Sequence, residues 1–388
     1  MRTRQPPRIL IDCKHFNAYG GYRNDRIRRP WRVTPERVGT SPACDAGRGV
    51  VSMSMYQEAE VLAVSAQRID VHTHGIPDEA VALLMARGHR LTGGYRMSVR
   101  WSPEAALAYM DRQRIAAQLL SMPLAFAGSD DDPEFGTRLS RIINEGHAEL
   151  IARHPDRFGA FATLPADGPD VALSELAYAL DELRLDGVVL TSNVLGRYFG
   201  DPSLEPVLAE LARRGVPVFV HPADCPHIDV LGFGRPSSVV EFPFDTARTI
   251  TNALYTGVFQ RHPGLRLILA HCGGALPALG WRIGEHTVMG RGPDDADIDP
   301  DHVAEVLRGL YYDTALAGSR NSLLPTLEVT TADHILFGTD WPAAPEPTVV
   351  RNIDNLTGFD GFSPDELRGV ECDNALTLFP RFVRGPRR

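Results

Sequence analysis

Short apolar runs alternate with amphipathic stretches from about residue 66 onward. The runs at 68–74, 115–122, 158–164, 187–191, 217–221, 265–271, 310–314 and 335–340 have the length and composition of buried strands. Between them, segments 103–114, 133–154, 171–183, 204–213 and 247–261 repeat their apolar residues near the helical period, which predicts amphipathic helices. Eight strands with helical connections favour an α/β chain folded as a closed parallel (β/α)₈ (TIM) barrel over an open doubly wound sheet. No glycine-rich dinucleotide fingerprint follows any strand, which weighs further against the open sheet. The opening of the chain is different: it is rich in Arg, Pro and Gly without sustained periodicity. The expected organisation is a basic, poorly ordered extension over 1–65 and one barrel domain over 66–388.

In such a barrel the reactive side chains come from the C-terminal ends of several strands. The first strand ends in His72 and His74, and side chains at i and i+2 of a strand share one side before Gly75 and Pro77 break it. Alone, such a pair more often reflects surface chemistry or core packing than ligation. The fifth strand ends in His221, the sixth in His271 and the eighth in Asp340, so five polar groups meet on one rim. That convergence predicts a metal site. Three imidazoles and a carboxylate with an open position suit Zn²⁺, and Mn²⁺, Fe²⁺ or Co²⁺ accept the same donors. His72, His74, His221 and Asp340 are the expected ligands to one ion per subunit. His271 is then left as an acid or base, or to orient a bound water, and the second oxygen of Asp340 can also move a proton. A bound metal would make hydroxide available near neutral pH.

Composition narrows this reading. The formal charge of -9, with no concentrated basic run in the main body, argues against a nucleic-acid partner. No apolar stretch reaches the length of a membrane span, so no membrane partner is expected and the location expected is cytoplasmic. The five cysteines are scattered without a C-x-x-C pair, as suits reduced thiols. Cys272, beside His271, is read as a strand neighbour pointing away from the site. Lys14 is the sole lysine. The main body therefore has none to carbamylate, which excludes a two-metal site bridged by a modified lysine.

The chain resembles the amidohydrolase superfamily, in particular the branch of aminocarboxymuconate-semialdehyde decarboxylase and the decarboxylases of 6-methylsalicylate and other hydroxybenzoates. The motifs that carry the resemblance are Asp70-Val71-His72-Thr73-His74, Val220-His221-Pro222, the run from Glu241 to Arg248, His271-Cys272-Gly273-Gly274 and Gly338-Thr339-Asp340-Trp341-Pro342, within about residues 66–385. The resemblance assigns His72, His74, His221 and Asp340 as metal ligands and His271 as the catalytic histidine beside them. It differs from the branch that has a strand-one glutamate and a manganese-type site. Arg282 matches a substrate-binding arginine of the helix after the strand-six glycines. A homodimer is implied by the resemblance alone.

Two further expectations concern the rim. Gly273 and Gly274 are read as allowing close backbone packing beneath the site rather than as a phosphate cradle. Trp341 and Phe244, with Phe233 and Phe242, are candidates to hold an aromatic ring. The function expected is metal-dependent, non-oxidative decarboxylation of a hydroxylated aromatic (salicylate-like) or enol-like carboxylic acid. The alternative is hydrolysis of an amide, lactone or ester on the same site.

Overall fold

The computed structural model describes residues 68–88, 101–124, 127–128, 132–289 and 297–383. The expected extension over 1–65 lies outside them. Eight strands form one parallel sheet in chain order: β1 (Arg68–His74), β2 (Ile115–Ser121), β3 (Phe158–Thr163), β4 (Gly187–Thr191), β5 (Pro217–His221), β6 (Arg266–Leu269), β7 (Tyr311–Asp313) and β8 (Ile335–Leu336). The barrel is closed beyond the short β8. Val71 N donates to Phe337 O and His74 N to Trp341 O, both at 2.9 Å, so the segment after β8 runs along β1.

Ile69, Val71, Leu119, Phe161, Val189, Phe219, Ile268 and Leu336 fill the barrel interior over a plug that includes Leu378 and Phe379. The opposite strand faces, for example Val188, Val218, Val220 and Leu267, pack with the surrounding helices in a second, larger core. Each such side chain taken fully out of water contributes about 1.5–3 kcal/mol before chain entropy is counted. Three of the described helices, Pro103–Arg112, Pro300–Gly309 and Pro364–Arg368, begin behind a capping side chain. Ser102 Oγ caps Pro103–Arg112 by accepting from Ala105 N at 3.2 Å, with the proline in the first turn.

Among the elements expected, four depart most from their expected bounds. The helix expected over 247–261 begins at Glu241, because Pro243 lies in the first turn, where its missing N–H has no partner to lose. The helix expected over 171–183 is Pro169–Ala177 followed by a wider turn at Tyr178–Glu182. Strand six stops at Leu269, and His271 and Cys272 adopt left-handed φ values of 57° and 53°. Strand eight stops at Leu336, after which the chain leaves β7 for β1.

Candidate metal centre

The pairing of β1 with β2 shifts register between Asp70 and Thr73. Ile69 and Val71 face the interior, yet the His72 ring also lies 4.9 Å from Phe219 of that interior. The irregularity resets the alternation, so His72 and His74 both turn inward although Val71 already does. Asp70 faces the other way and is an anchor. Its buried carboxylate accepts from Thr339 N (3.0 Å), Thr339 Oγ1 (2.7 Å) and Gln118 Nε2 (3.0 Å). Burial pushes its pKa up to about 6 against these hydrogen bonds.

The four expected ligands come together. One ligating atom each from His72, His74, His221 and Asp340 lies within 4.8 Å of the others. His74 Nε2 is 3.0 Å from Asp340 Oδ1 and His72 Nε2 is 3.4 Å from the same oxygen. Asp340 is held in place by an unusual backbone, with φ of 62°, and its N–H donates to His72 O at 2.8 Å.

Each imidazole has its other nitrogen occupied. Nδ1 of His72 meets Asp313 Oδ2 at 2.8 Å, that of His221 meets Pro222 O at 2.8 Å, and that of His271 meets Ala315 O at 2.8 Å. Nδ1 of His74 lies 3.2 Å from Ser121 Oγ, whose own proton goes to Thr73 O. Acceptors at Nδ1 place the neutral ring's proton there and leave the Nε2 lone pair free for a Lewis acid. His72 Nε2 is buried and has no hydrogen-bond partner. A buried nitrogen left open among three similar groups and a carboxylate fits a divalent cation.

The electrostatics agree. Burial opposes a charge on His72, but the Asp313 and Asp340 carboxylates outweigh it and raise its pKa to about 10. Burial also opposes ionisation of Asp340, and His72 and His74 nonetheless hold its carboxyl well below the usual range. His221 is pushed well down by burial and by charge on His74, His72 and His271. Burial and His72 lower His271 as well. The two carboxylates, Asp313 and Asp340, thus favour positive charge at His72, while His221 and His271 are held neutral.

Asp313 is the site residue that sequence reasoning missed. It is fully buried, and besides His72 it accepts from His271 N at 3.0 Å and Ala315 N at 2.9 Å through Oδ1. The available signal was a carboxylate at the end of the seventh expected strand. Gly338 lies against the same group: a Cβ there would come within 2.9 Å of His72 Cβ and 3.2 Å of Asp313 Oδ1. Gly274 has the close-packing role expected of it, since its φ is 61° and an added Cβ would meet Pro243 O at 2.4 Å.

The cluster lies in the wall of a cavity of about 690 Å³, reached by His74, His221, His271 and Asp340 and otherwise mainly apolar. The three expected substrate contacts are placed elsewhere. Trp341 follows the inward Asp340 and turns out to stack on Tyr109, with centroids 4.5 Å apart and planes at 11°. Phe244 is 49% exposed because Phe242 and Asp245 occupy the inner face of its helix. Arg282 is exposed beside Trp281, while Ile283 faces the core. None of the three lines the cavity; Phe242 does, and its ring lies 6.1 Å from that of His221. Cys272 is buried away from the cavity, with Sγ directed to Ala317 O.

A parallel barrel with a histidine and aspartate cluster at its strand ends defines a class, and the chain belongs to it. Residues 69–381 match the family model described as Amidohydrolase, and the chain is a member of that family. Within the family it is similar to Decarboxylase yanB of Aspergillus niger, at 32% identity over 81% of this chain and 88% of that protein. It is likewise similar to 6-methylsalicylic acid decarboxylase of Penicillium expansum, at 30% identity over 81% of this chain and 96% of that protein. The fold matches the crystal structure of 5-carboxyvanillate decarboxylase from Novosphingobium aromaticivorans, complexed with manganese and 4-hydroxy-3-methoxy-5-nitrobenzoic acid. The TM-score is 0.70 at 19% identity, covering 82% of this chain and 97% of that one. The relatives being decarboxylases, the hydrolase alternative is not favoured.

Proposed function

We propose that this chain is a metal-dependent, non-oxidative decarboxylase of hydroxylated aromatic carboxylic acids. The observation that carries the reading is the inward set of Nε2 atoms and one carboxylate at the wall of a mainly apolar cavity, in a chain whose relatives are decarboxylases. His72, His74, His221 and Asp340 would hold one divalent ion per subunit, zinc by the donor set, with manganese as the alternative. When bound, the metal supplies Lewis-acid stabilisation of the negative charge that develops as the carbon–carbon bond breaks.

The chain's own residues do the rest. The apolar wall, with Phe242 close to the cluster, holds the ring and excludes water, which strengthens each polar contact inside. As the bond to the carboxylate breaks, its electron pair passes to the ring carbon, CO₂ leaves, and that carbon takes a proton. Asp340 and His271 both face the cavity and are the groups placed to relay it, taking a proton from the substrate hydroxyl or from water and passing it to that carbon. The hydrogen bond from His271 Nδ1 to Ala315 O leaves Nε2 as the atom that exchanges the proton.

The test is direct. Metal-loaded protein is incubated with hydroxybenzoates and, separately, with lactones; CO₂ from the former is expected, and ring opening of lactones without CO₂ would overturn the reading. A homodimer and a cytoplasmic location belong to the same proposal. Exposed apolar side chains on two packed helices, Trp281 and Phe244, support the dimer, and sedimentation of a monomer at working concentration would refute it. Among the described residues Cys225 and Cys272 are buried free thiols, which suits a reducing compartment; cell fractionation tests it. No helix among the described residues is long and apolar enough to cross a membrane.

A further inference from the structure

Outside the histidine and aspartate cluster, the described cavity wall carries a single carboxylate, Asp224, and no arginine or lysine. One of its oxygens, Oδ1, is sealed from solvent and meets no hydrogen-bond donor. No described residue forms a hydrogen bond or ion pair with this carboxylate; only the backbone carbonyl of Asp224 is engaged, by Asn193 Nδ2 at 3.1 Å. A carboxylate partly withdrawn from water without a donor is costly, and a protein usually supplies a partner.

The segment that carries Asp224 is not free to swing the group elsewhere. Asn193 also donates to Asp245 Oδ2 at 2.8 Å, and Ala223 N donates to Ser192 Oγ at 2.9 Å. Asp245 is fully buried, and it accepts in addition from Tyr198 OH at 2.5 Å, Arg248 Nη1 at 2.8 Å and Ser192 Oγ. This network ties the hairpin after β4, the loop after β5 and the helix Glu241–Tyr255 into one wall. The backbone of Asp224 is thus held while its side chain is left without a partner.

We infer that Asp224 is a specificity-determining residue: it accepts a hydrogen bond from a hydroxyl or amino group on the substrate ring, in addition to the hydroxyl that marks the substrate class. A substrate carboxylate belongs at the metal cluster, and a second carboxylate brought near Asp224 would meet like charge with no cation in the described wall to offset it. The substrate class is thereby narrowed to aromatic acids with one carboxylate and a further hydrogen-bond donor. This inference rests on the decarboxylase reading only for the kind of acid involved.

The experiment uses metal-loaded full-length protein and salicylates carrying hydrogen, hydroxyl or carboxylate at each remaining ring position. Binding is measured by calorimetry and CO₂ release in parallel, for wild type, Asp224→Asn and Asp224→Leu, with thermal unfolding confirming that each variant is folded. At one ring position wild type should favour hydroxyl over hydrogen by about 10- to 100-fold, the range of a hydrogen bond to a charged group, and should bind the carboxylate more weakly than either. Asp224→Leu should erase the hydroxyl preference, and Asp224→Asn should relax the discrimination against the second carboxylate. Preferences unchanged in both variants would overturn the role of Asp224 even if CO₂ is released. The expected preferences in binding without CO₂ from any compound would support Asp224 and overturn the decarboxylase reading instead.

Discussion

Asp313→Asn exchanges one oxygen for an amide nitrogen, and the structure says why that small change should matter. Oδ2 faces His72 Nδ1, while Oδ1 receives two backbone N–H groups, from His271 and Ala315. An asparagine cannot serve both sides. If its oxygen stays with the two N–H groups, its NH₂ faces His72 Nδ1 and drives the ring proton to Nε2, the atom that should bind metal. If the amide turns over, NH₂ opposes two backbone donors in a fully buried place. Loss of such an outer hydrogen bond lowers metal affinity by about 10- to 100-fold. That corresponds to about 1.4–2.8 kcal/mol at a factor of ten per 1.4 kcal/mol. The assay is zinc and manganese titration of chelator-stripped protein against a competing indicator, with metal-free unfolding measured alongside to separate affinity from stability. Affinity within about twofold of wild type would refute the argument that Asp313 sets the His72 tautomer.

Other outcomes follow from the same geometry. Asp340→Ala should abolish CO₂ release in a folded protein, and retained turnover would mean the cluster is not the reaction centre. Gly338→Ala drives a methyl against His72 and Asp313, and overpacking of this kind costs about 1–3 kcal/mol, read as a lower denaturation midpoint together with weaker metal binding. Phe242→Ala should raise KM for an aromatic acid well above the effect of Phe244→Ala; equal effects would contradict their placement. His147, buried and donating to Gly75 O at 2.7 Å, has its pKa lowered by burial from 6.5 to about 4. The unfolded chain takes up this proton first as pH falls, so the stabilisation is complete above 6.5 and is lost on acidification towards about 4. Between about pH 7 and about pH 5 the loss should be about 2 kcal/mol in urea unfolding. His147→Gln, which keeps a donor without the titration, should show correspondingly less.

Much of this protein is legible in its sequence because barrel strands and helices announce themselves locally. Apolar runs and helical spacing depend on neighbours a few residues away, and β1, β4 and β5 lie where the pattern puts them. The strand-end rule needed only that pattern to bring His72, His74, His221 and Asp340 to one rim. Other features depend on contacts between distant segments, which no local pattern contains. Asp313 matters because β7 lies beside both the end of β6 and the segment that closes on β1. The inward turn of His72 comes from a register shift against β2 rather than from simple alternation. Trp341 is a candidate ring contact by its place in a loop at the rim, yet the inward turn of Asp340 sends its neighbour to Tyr109. Phe244 and Phe242 are chemically alike and two residues apart, and only the packing of their helix decides which meets the cavity. The sequence alone determined the barrel and the identity of the cluster, since both follow from local periodicity and the residue at each strand end. The tertiary structure decided the orientation of each side chain and the missing partner of Asp224, since those are set by what lies opposite in space.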